Sequence, residues 1–398
     1  MVEGVRVVSV GHWRDLRRDG SRQVLDLGEV AVLPGLVNAH CHLDYTNMAG
    51  ELPPPRLFTD WLKLITTTKA GWTQADYAKS WLAGAQMLVR TGTTTVADIE
   101  AVPEVLPDVL KATPLRVLSF LEMIGITGRR SPETILNEAA SRVELLRAAR
   151  FPAGLSPHAP YTTLPELLRR SAQMARRRRW RVVTHVAESA LEFEMFAHGR
   201  GEMFSWLKRS GRDMSDCGMR SPVQHLEHCG LLRRNLLAIH ANYLGEEDVV
   251  LLAKRRVSVA HCPRSHLYFR HGPFPLQRLL EAGVNVCLGT DSLATVLKPR
   301  GQSVELSLFE EMRLMGERQP WLRPAQILEM ATLNGARALG LGGRAGELSP
   351  RSFADLLAIP FEGRRGDLME AAVHHRGPVS ANLIRGRWAV PPGGTKER

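Results

Sequence analysis

The chain has 398 residues, of which 44% are hydrophobic and 23% charged, and its formal net charge is +11. This length suits one large domain and a smaller one, and no apolar run approaches the roughly 20 residues of a membrane-spanning helix. The N-terminus has no uninterrupted apolar signal region, so the cytoplasm is the expected location and no membrane partner is expected.

The charge pattern and the cysteines exclude further classes. The basic run at 176–179 ends a helical pattern and has no series of aromatic residues around it, which favours a solvated helix end over a nucleic-acid partner. The five cysteines include no CxxC pair. A disulfide framework or a structural zinc knuckle is therefore not expected.

Short β-rich segments alternate with longer helical patterns along the chain, which predicts parallel βα units. The predicted strands are 32–43, 93–99, 115–123, 153–160, 180–189, 236–244, 257–263 and 284–292. Eight strands with intervening helices over about 260 residues predict an α/β fold of the TIM-type (β/α)8 barrel class. Residues 190–230 are longer than a crossover needs and predict extra helices over the barrel mouth.

The two ends of the chain predict a second, smaller unit. Residues 5–32 are short and β-like, with Gly and Asp turns. After a predicted helix at 324–339, the stretches 346–360 and 381–390 are again β-like. The expected domains are a small β-sandwich from 1–32 and 343–390, a catalytic barrel at 33–342 and a flexible tail at 391–398.

The segment 32–45, VLPGLVNAHCHLDY, carries two histidines one residue apart at a predicted strand end. Side chains alternate along a strand, so His40 and His42 share a face on which two imidazoles can bind one metal ion. A lone HxH also occurs on solvated strand faces. The interpretation as a metal site therefore depends on further ligands.

Such groups recur at the ends of the later strands, on the face where barrel enzymes have their active sites. They are His158 on strand four, His185 and Glu188 on strand five, His240 on strand six, His261 on strand seven and Asp291 on strand eight. Three imidazoles and one carboxylate with an open coordination position are typical of catalytic zinc. The candidate ligands are His40, His42, His185 and Asp291.

The ordered motifs PGLVNAHCHLD, THVAES, AIHANYL, VSVAHCPRS and AGVNVCLGTDS resemble the amidohydrolase superfamily. The similarity lies with its branch of cytosine, guanine, adenosine-type and triazine deaminases and chlorohydrolases, and it extends from Val5 to Trp388. It implies a distorted barrel with a β-sandwich built from both termini. It also implies one divalent metal ion, zinc or iron, because no lysine ends strand four to bridge two metals.

The resemblance assigns a role to each candidate residue. The metal ligands of the family correspond to His40, His42, His185 and Asp291 in this sequence. Glu188 matches the proton-shuttling glutamate, and His240 matches the histidine beside the attacking water, whose proton Asp291 takes. His158, in SPHAPYT, resembles a position that contacts the substrate.

This sequence departs from the family pattern in two places. Met1 lies almost on a segment that belongs inside the sandwich, so we expect either that the N-terminal part of the sandwich is incomplete or that the true start lies upstream. The usual CPxSN is CPRSH at 262–266. Arg264 and His266 are therefore expected to reshape the substrate pocket, and Arg264 is expected to contact the substrate.

The implied activity is hydrolytic deamination of an aminopurine or a related N-heterocycle, so the expected partner is a small-molecule substrate. The SPHAPYT segment, the insertion after strand five and nearby arginines favour an adenine-type nucleoside with a ribose-derived, carboxylated extension, such as 6-aminodeoxyfutalosine. Alternatives are a guanine deaminase or a triazine chlorohydrolase and, more remotely, a non-catalytic scaffold barrel. Dimers are common among similar proteins, so a homodimer is a further expectation.

Overall fold

The computed structural model describes residues 1–16, 23–393 and 396–397. Eight parallel strands form its central sheet, each paired with the next along the chain. In chain order, β1 to β8 are Leu36–Cys41, Thr93–Glu100, Arg116–Met123, Ala153–Pro157, Val182–Val186, Leu236–His240, Ser258–His261 and Val286–Leu288. An isolated parallel bridge between Cys41 and Asp291 closes the sheet. The predicted barrel and its eight strands are confirmed.

Helices surround the barrel and begin where the sequence supplies caps. Thr73 and Ser221 form capping boxes, and the Ser131 and Ser189 hydroxyls accept hydrogen bonds from backbone amides of the first helical turn. The helices outside the insertion are Phe58–Ala70, Gln74–Arg90, Leu106–Val109, Pro132–Ala148, Pro165–Arg178, Glu246–Arg255, Pro263–Tyr268, Leu276–Glu281, Leu308–Arg318, Pro324–Met330 and Leu333–Ala338. Short 3-10 turns lie at Leu43–Met48, Pro103–Val105 and Leu293–Thr295.

The segment predicted to carry extra helices forms three of them. Their bounds are Ala190–His198, Glu202–Arg209 and Pro222–His228. Met195, Phe196 and Met203 pack with Phe58 and Tyr161, and Tyr161 follows the carboxyl end of β4. The insertion therefore covers the carboxyl side of the barrel. Among the described residues, no helix is both long and apolar enough to cross a membrane.

Both ends of the chain contribute to a small antiparallel sheet, as predicted. Its strands, in spatial order, are Arg387–Val390, Ala381–Ile384, Leu356–Pro360 and Val30–Pro34. Two ribbons pair Val2–Glu3 with Arg6–Val7 and Leu25–Asp26 with Lys396–Glu397. The remaining elements are the helices Trp13–Leu16 and Leu368–His374 and the 3-10 turn Arg365–Asp367.

Parts of the predicted end segments lie outside the described residues. These are 17–22, in the segment predicted for the sandwich, and 394–395 and 398, in the predicted tail. The domain boundaries proposed from sequence stay predictions.

A buried ion pair joins the small sheet to the barrel. The Arg116 guanidinium, at the start of β3, pairs with Asp355 and lies 3.9 Å above the centre of the Phe353 ring. Arg116 also donates a hydrogen bond to Thr95 Oγ1 at 3.1 Å, and Asp355 Oδ1 accepts one from the Arg385 amide at 2.8 Å. Both charges are therefore paired and hydrogen-bonded.

We expect Asp355→Ala to lower the free energy of unfolding by about 3–5 kcal/mol, because the variant leaves the buried Arg116 cation without its partner. Denaturant unfolding followed by circular dichroism measures the change. Glu138→Ala is the matched control, because its pair with Arg130 is exposed and should contribute under about 1 kcal/mol. Equal losses in the two variants would contradict the buried pairing.

Candidate active site

The predicted metal ligands meet at the carboxyl end of the barrel. His40 lies in β1, His42 directly follows it, His185 lies in β5 and Asp291 follows β8. The Nε2 atoms of His42 and His185 are 3.3 Å apart, and His40 Nε2 is 3.5 Å from Asp291 Oδ1. Candidate ligand atoms of the three histidines all lie within 4.8 Å of one another. The predicted ligand set is brought together.

The backbone at the seam between β8 and β1 positions these side chains. The His42 amide donates to the Asp291 carbonyl at 3.2 Å, and the Asp291 amide donates to the His40 carbonyl at 3.1 Å. A Cβ at Gly289 would lie 2.8 Å from the His40 carbonyl oxygen. Only glycine lets the two strands approach this closely.

Strained backbone turns the ends of three strands towards the site. Ala187, His240, Ala241 and Asp291 have φ values between 51° and 70°. This left-handed region is costly for residues other than glycine and is concentrated at functional sites. The strain is consistent with a backbone shaped to aim side chains rather than to continue regular strands.

The ring nitrogens of the histidines fit a bound cation. Within the described residues, both ring nitrogens of His40 and Nδ1 of His42 are buried and have no hydrogen-bond partner. Buried polar atoms are seldom left unpaired. His185 Nδ1 lies 2.9 Å from the His158 carbonyl oxygen, so its Nε2 is the free ligand atom.

The Asp291 carboxylate is held with one oxygen towards the histidines. Its Oδ2 accepts hydrogen bonds from Ser265 Oγ at 2.6 Å and Thr295 Oγ1 at 3.1 Å. Its Oδ1 faces His40 and lies 3.9 Å from His42 Nε2. Three nitrogens and one oxygen suit zinc and related divalent metals.

Burial sets the ligands in the protonation state that metal binding requires. It lowers the pKa of His42 well below its ordinary value and that of His185 to about 3, so both imidazoles are neutral. Burial alone would raise the pKa of Asp291, but the imidazoles of His40, His240 and His42 hold it well below its usual range. His42 and His185 therefore offer neutral imidazoles, and Asp291 offers an ionised carboxylate.

Glu188 and His240 form a buried pair beside the candidate ligands. His240 Nε2 lies 3.5 Å from Glu188 Oε1, and both side chains are buried. Burial, together with the charges of Asp291 and Glu192, raises the pKa of Glu188 well above its ordinary value. Burial lowers the pKa of His240. A carboxyl group that keeps its proton therefore faces a neutral imidazole.

His158 lies at the edge of this group. Its ring centre is 4.8 Å from that of His185, and its Nδ1 is 2.6 Å from Thr162 Oγ1. Burial lowers its pKa to about 3, so the imidazole is neutral. Its substrate contact stays a prediction.

The Arg264 side chain pairs with Glu311, which is not one of the candidate metal ligands. Its Nε donates to Glu311 Oε1 at 2.5 Å, and its Nη1 donates to the Glu305 carbonyl at 2.9 Å. Glu311 is buried, so this pair neutralises an interior carboxylate. The predicted substrate contact of Arg264 stays a prediction.

His261 ends β7 as predicted, whereas the effect of His266 on the substrate pocket stays a prediction. His261 is not part of the metal-ligand group, because its ring stacks on Phe274 with centres 3.8 Å apart. His266 bonds to Asn242 Oδ1 at 3.1 Å, and Asn242 in turn donates to the Glu188 carbonyl at 3.0 Å. His266 therefore supports the segment that carries Glu188.

Sequence reasoning missed several side chains at the site. Tyr45 stacks on His42 with ring centres 5.2 Å apart, and Lys69 donates a hydrogen bond to the Tyr45 hydroxyl. Ser265 and Thr295 hold Asp291, as described above. Tyr45 and Ser265 lie within recognised motifs, which was the available signal, whereas Lys69 lies in a helix with no motif of its own.

A family model described as "Amidohydrolase family" matches residues 31–379. A relative from Syntrophobacter fumaroxidans, named 5-methylthioadenosine/S-adenosylhomocysteine deaminase, is 35% identical over 377 residues. The match covers 89% of this chain and 78% of that protein.

Solved structures share the fold over most of the chain. An adenosine deaminase from Xanthomonas campestris with bound zinc has a TM-score of 0.77 at 27% identity, covering 90% of this chain and 80% of that one. The aminofutalosine deaminase of Helicobacter pylori, in complex with methylthio-coformycin, has a TM-score of 0.84 at 21% identity. The match covers 98% of this chain and 94% of that one. At that identity the second likeness shows the fold alone.

We expect Ser265→Ala to weaken zinc binding by about 10–100-fold, because Asp291 loses the hydroxyl that orients it. Competition with a chromogenic chelator measures the affinity. Ser171→Ala is the control, because the buried Ser171 hydroxyl donates to the Leu167 carbonyl of its own helix. Unchanged affinity in Ser265→Ala would show that this hydroxyl does not position a ligand.

Glu192 should make stability fall as the pH rises. Its Oε2 accepts a hydrogen bond from the Glu188 amide at 2.9 Å, and burial raises its pKa to about 8. The unfolded chain releases this proton near its ordinary pKa, so ionisation favours unfolding between those two values, by at most about 1.4 kcal/mol per pH unit.

Glu192→Gln keeps the acceptor and removes the titration. We therefore expect its melting temperature, relative to wild type, to rise steadily from about pH 5 to about pH 8. Thermal denaturation across this range measures the difference. Glu362→Gln, at an exposed position, is the control. If the difference in melting temperature between Glu192→Gln and wild type does not change with pH, the raised pKa of Glu192 is contradicted.

Proposed function

The chain belongs to the amidohydrolase family, and from that membership we propose that it hydrolyses the amino group from the adenine ring of a nucleoside and releases ammonia. The observation that carries the proposal is the arrangement of one ligand set beside one proton-transfer pair. The ligand set is His40, His42, His185 and Asp291. The pair is Glu188 and His240, 3.5 Å apart.

The four ligands would hold one divalent cation, and the zinc in the Xanthomonas adenosine deaminase favours zinc. When bound, such a cation acts as a Lewis acid that makes water a nucleophile near neutral pH. Asp291 Oδ1 is the acceptor for the proton of that water, because Ser265 and Thr295 occupy its other oxygen. His240 is placed to hydrogen-bond the water.

Glu188 supplies the proton that the reacting ring needs. Its raised pKa keeps the carboxyl protonated, so it donates to the ring nitrogen next to the attacked carbon and prevents a full negative charge from forming. A carbon–oxygen bond forms to the water oxygen. The carbonyl then forms as the carbon–nitrogen bond breaks. The hydroxyl proton of the adduct returns to Glu188, and the proton held by Asp291 passes to the departing amine, which leaves as ammonia.

Aromatic side chains beside the site suit a flat purine. Phe58 and Phe269 have ring centres 5.1 Å apart, and those of Trp61 and Phe269 are 5.2 Å apart. Phe58 also contacts Tyr161, which packs edge-on to His158 at 5.8 Å. Such rings provide an apolar wall for a planar base.

Lys69 and Tyr45 offer hydrogen-bond donors on another side of the ligand set. The ammonium lies 4.7 Å above the centre of the Tyr45 ring, which itself stacks on His42. A ribose hydroxyl or a carboxylate on the extension of the nucleoside would suit these donors. These donors keep 6-aminodeoxyfutalosine among the proposed substrates. The name of the Syntrophobacter relative adds 5-methylthioadenosine and S-adenosylhomocysteine.

The same side chains would also serve a chloride leaving group, but that 35% identical relative is named a deaminase, which favours ammonia. The chain retains all four ligands and, beside them, Glu188 and His240. This argues against a non-catalytic scaffold. The cytoplasmic location and the homodimer stay predictions.

We expect the zinc-loaded protein to release ammonia from at least one of adenosine, 5′-methylthioadenosine, S-adenosylhomocysteine and 6-aminodeoxyfutalosine. Glu188→Gln should lower kcat by about 10²–10⁴-fold, because the amide cannot donate the catalytic proton. A coupled ammonia assay measures turnover, and metal analysis checks that the variant retains its zinc.

Glu362→Gln, at an exposed position, is the control and should match wild type. Undiminished kcat in Glu188→Gln would remove Glu188 from the mechanism. No turnover of any of these compounds by fully zinc-loaded protein would overturn the proposed reaction.

A further inference from the structure

A cationic groove of about 890 Å³ lies at the amino ends of the later barrel strands, on the face opposite the metal ligands. Arg181 precedes β5, Arg233 and Arg234 precede β6, and Lys254 and Arg256 precede β7. Arg337 enters from the helix Leu333–Ala338. The residues that line the groove include no carboxylate and no aromatic ring.

The positive charge of this groove is not compensated by the protein. Arg255, at its edge, pairs with Glu227. None of the six cations named above pairs with a carboxylate in the described ranges 1–16, 23–393 and 396–397. Like charges this close repel one another. A bound anion would relieve that repulsion.

Arg181 is built into the groove. Its Nη1 donates to the Ala338 carbonyl at 2.5 Å, and a Cβ at Gly340 would lie 2.3 Å from its Nη2. Gly340 therefore leaves the space that the guanidinium occupies. Burial and the nearby charge of Arg234 lower the pKa of Arg181, which is consistent with uncompensated positive charge.

Helix dipoles explain only part of this pattern. Lys254 and Arg337 lie in last helical turns, where a cation is favourable next to the helix C-terminus. Arg181, Arg233 and Arg234 lie between elements, directly before β5 and β6. Their convergence on one groove needs a different explanation.

We propose that this groove binds a compact phosphate-rich anion, such as a linear oligophosphate. Guanidinium groups bind phosphate oxygens through paired hydrogen bonds, and Asn235, Ser258 and Asn285 add neutral polar groups between the cations. The cations converge from several strands rather than following a track, and the lining offers no ring for base stacking. Both features favour a compact anion over an extended nucleic-acid strand.

The test is isothermal titration calorimetry of the full chain with sodium tripolyphosphate at fixed ionic strength. The groove variant combines Arg234→Gln, Arg256→Asn and Arg337→Gln, three exposed positions. The control variant combines Arg129→Gln, Arg150→Asn and Arg376→Gln, which are exposed, lie outside the groove and remove the same charge. Asn is used at Arg256 and Arg150 because both have positive φ, at 54° and 66°.

We expect saturable binding of one tripolyphosphate per wild-type chain, weakened about tenfold or more in the groove variant and by less than about twofold in the control. Circular dichroism checks that both variants fold, and Arg234→Gln alone gives a second, milder variant that should weaken binding severalfold.

Three results would overturn the proposal. Equal weakening in both triple variants would assign the binding to total charge rather than to the groove. A single-stranded RNA that outcompetes tripolyphosphate at equal phosphate concentration would assign the surface to nucleic acid. No binding to wild type would leave the groove without this ligand. None of these measurements depends on the deaminase reaction.

Discussion

The closure of the barrel between β8 and β1 is the contact on which the candidate site depends. Two backbone hydrogen bonds link Asp291 to His40 and His42, and Gly289 permits the close approach. The first and last strands are separated by some 250 residues of sequence, yet they supply three of the four ligands. A shift of this seam would separate the carboxylate from the histidines, so the fold and the ligand geometry are held by the same bonds.

Burial then gives the site its chemistry. Removing water makes the imidazoles of His42 and His185 neutral and keeps a proton on Glu188, while the surrounding histidines keep Asp291 ionised. The same burial is unfavourable for folding, since it leaves polar ring atoms of His40 and His42 unpaired among the described residues. A bound cation would pair with one nitrogen of each of these rings, so metal binding and stability are expected to be coupled.

The sequence predicted the barrel and the main residues of the site because both leave local patterns. Buried parallel strands appear as short apolar runs, and the ligands stand at the ends of those runs. His261 also ends a strand, but its ring stacks on Phe274 and does not join the ligand group. The pair of Arg264 with Glu311 left no local pattern, because the two residues are 47 positions apart. Lys69 was missed for a similar reason, since only tertiary packing brings it to Tyr45.

The small sheet has a consequence for synthesis on the ribosome. Val30–Pro34 leads through Gly35 into β1, and it pairs with Leu356–Pro360 near the other end of the chain. The sheet partner of the strand that precedes the two N-terminal histidines therefore leaves the ribosome almost last. Contacts this distant in sequence form slowly. The nascent chain must therefore keep the strand Val30–Pro34 from mispairing until then, although β1 can pair with β2 much earlier.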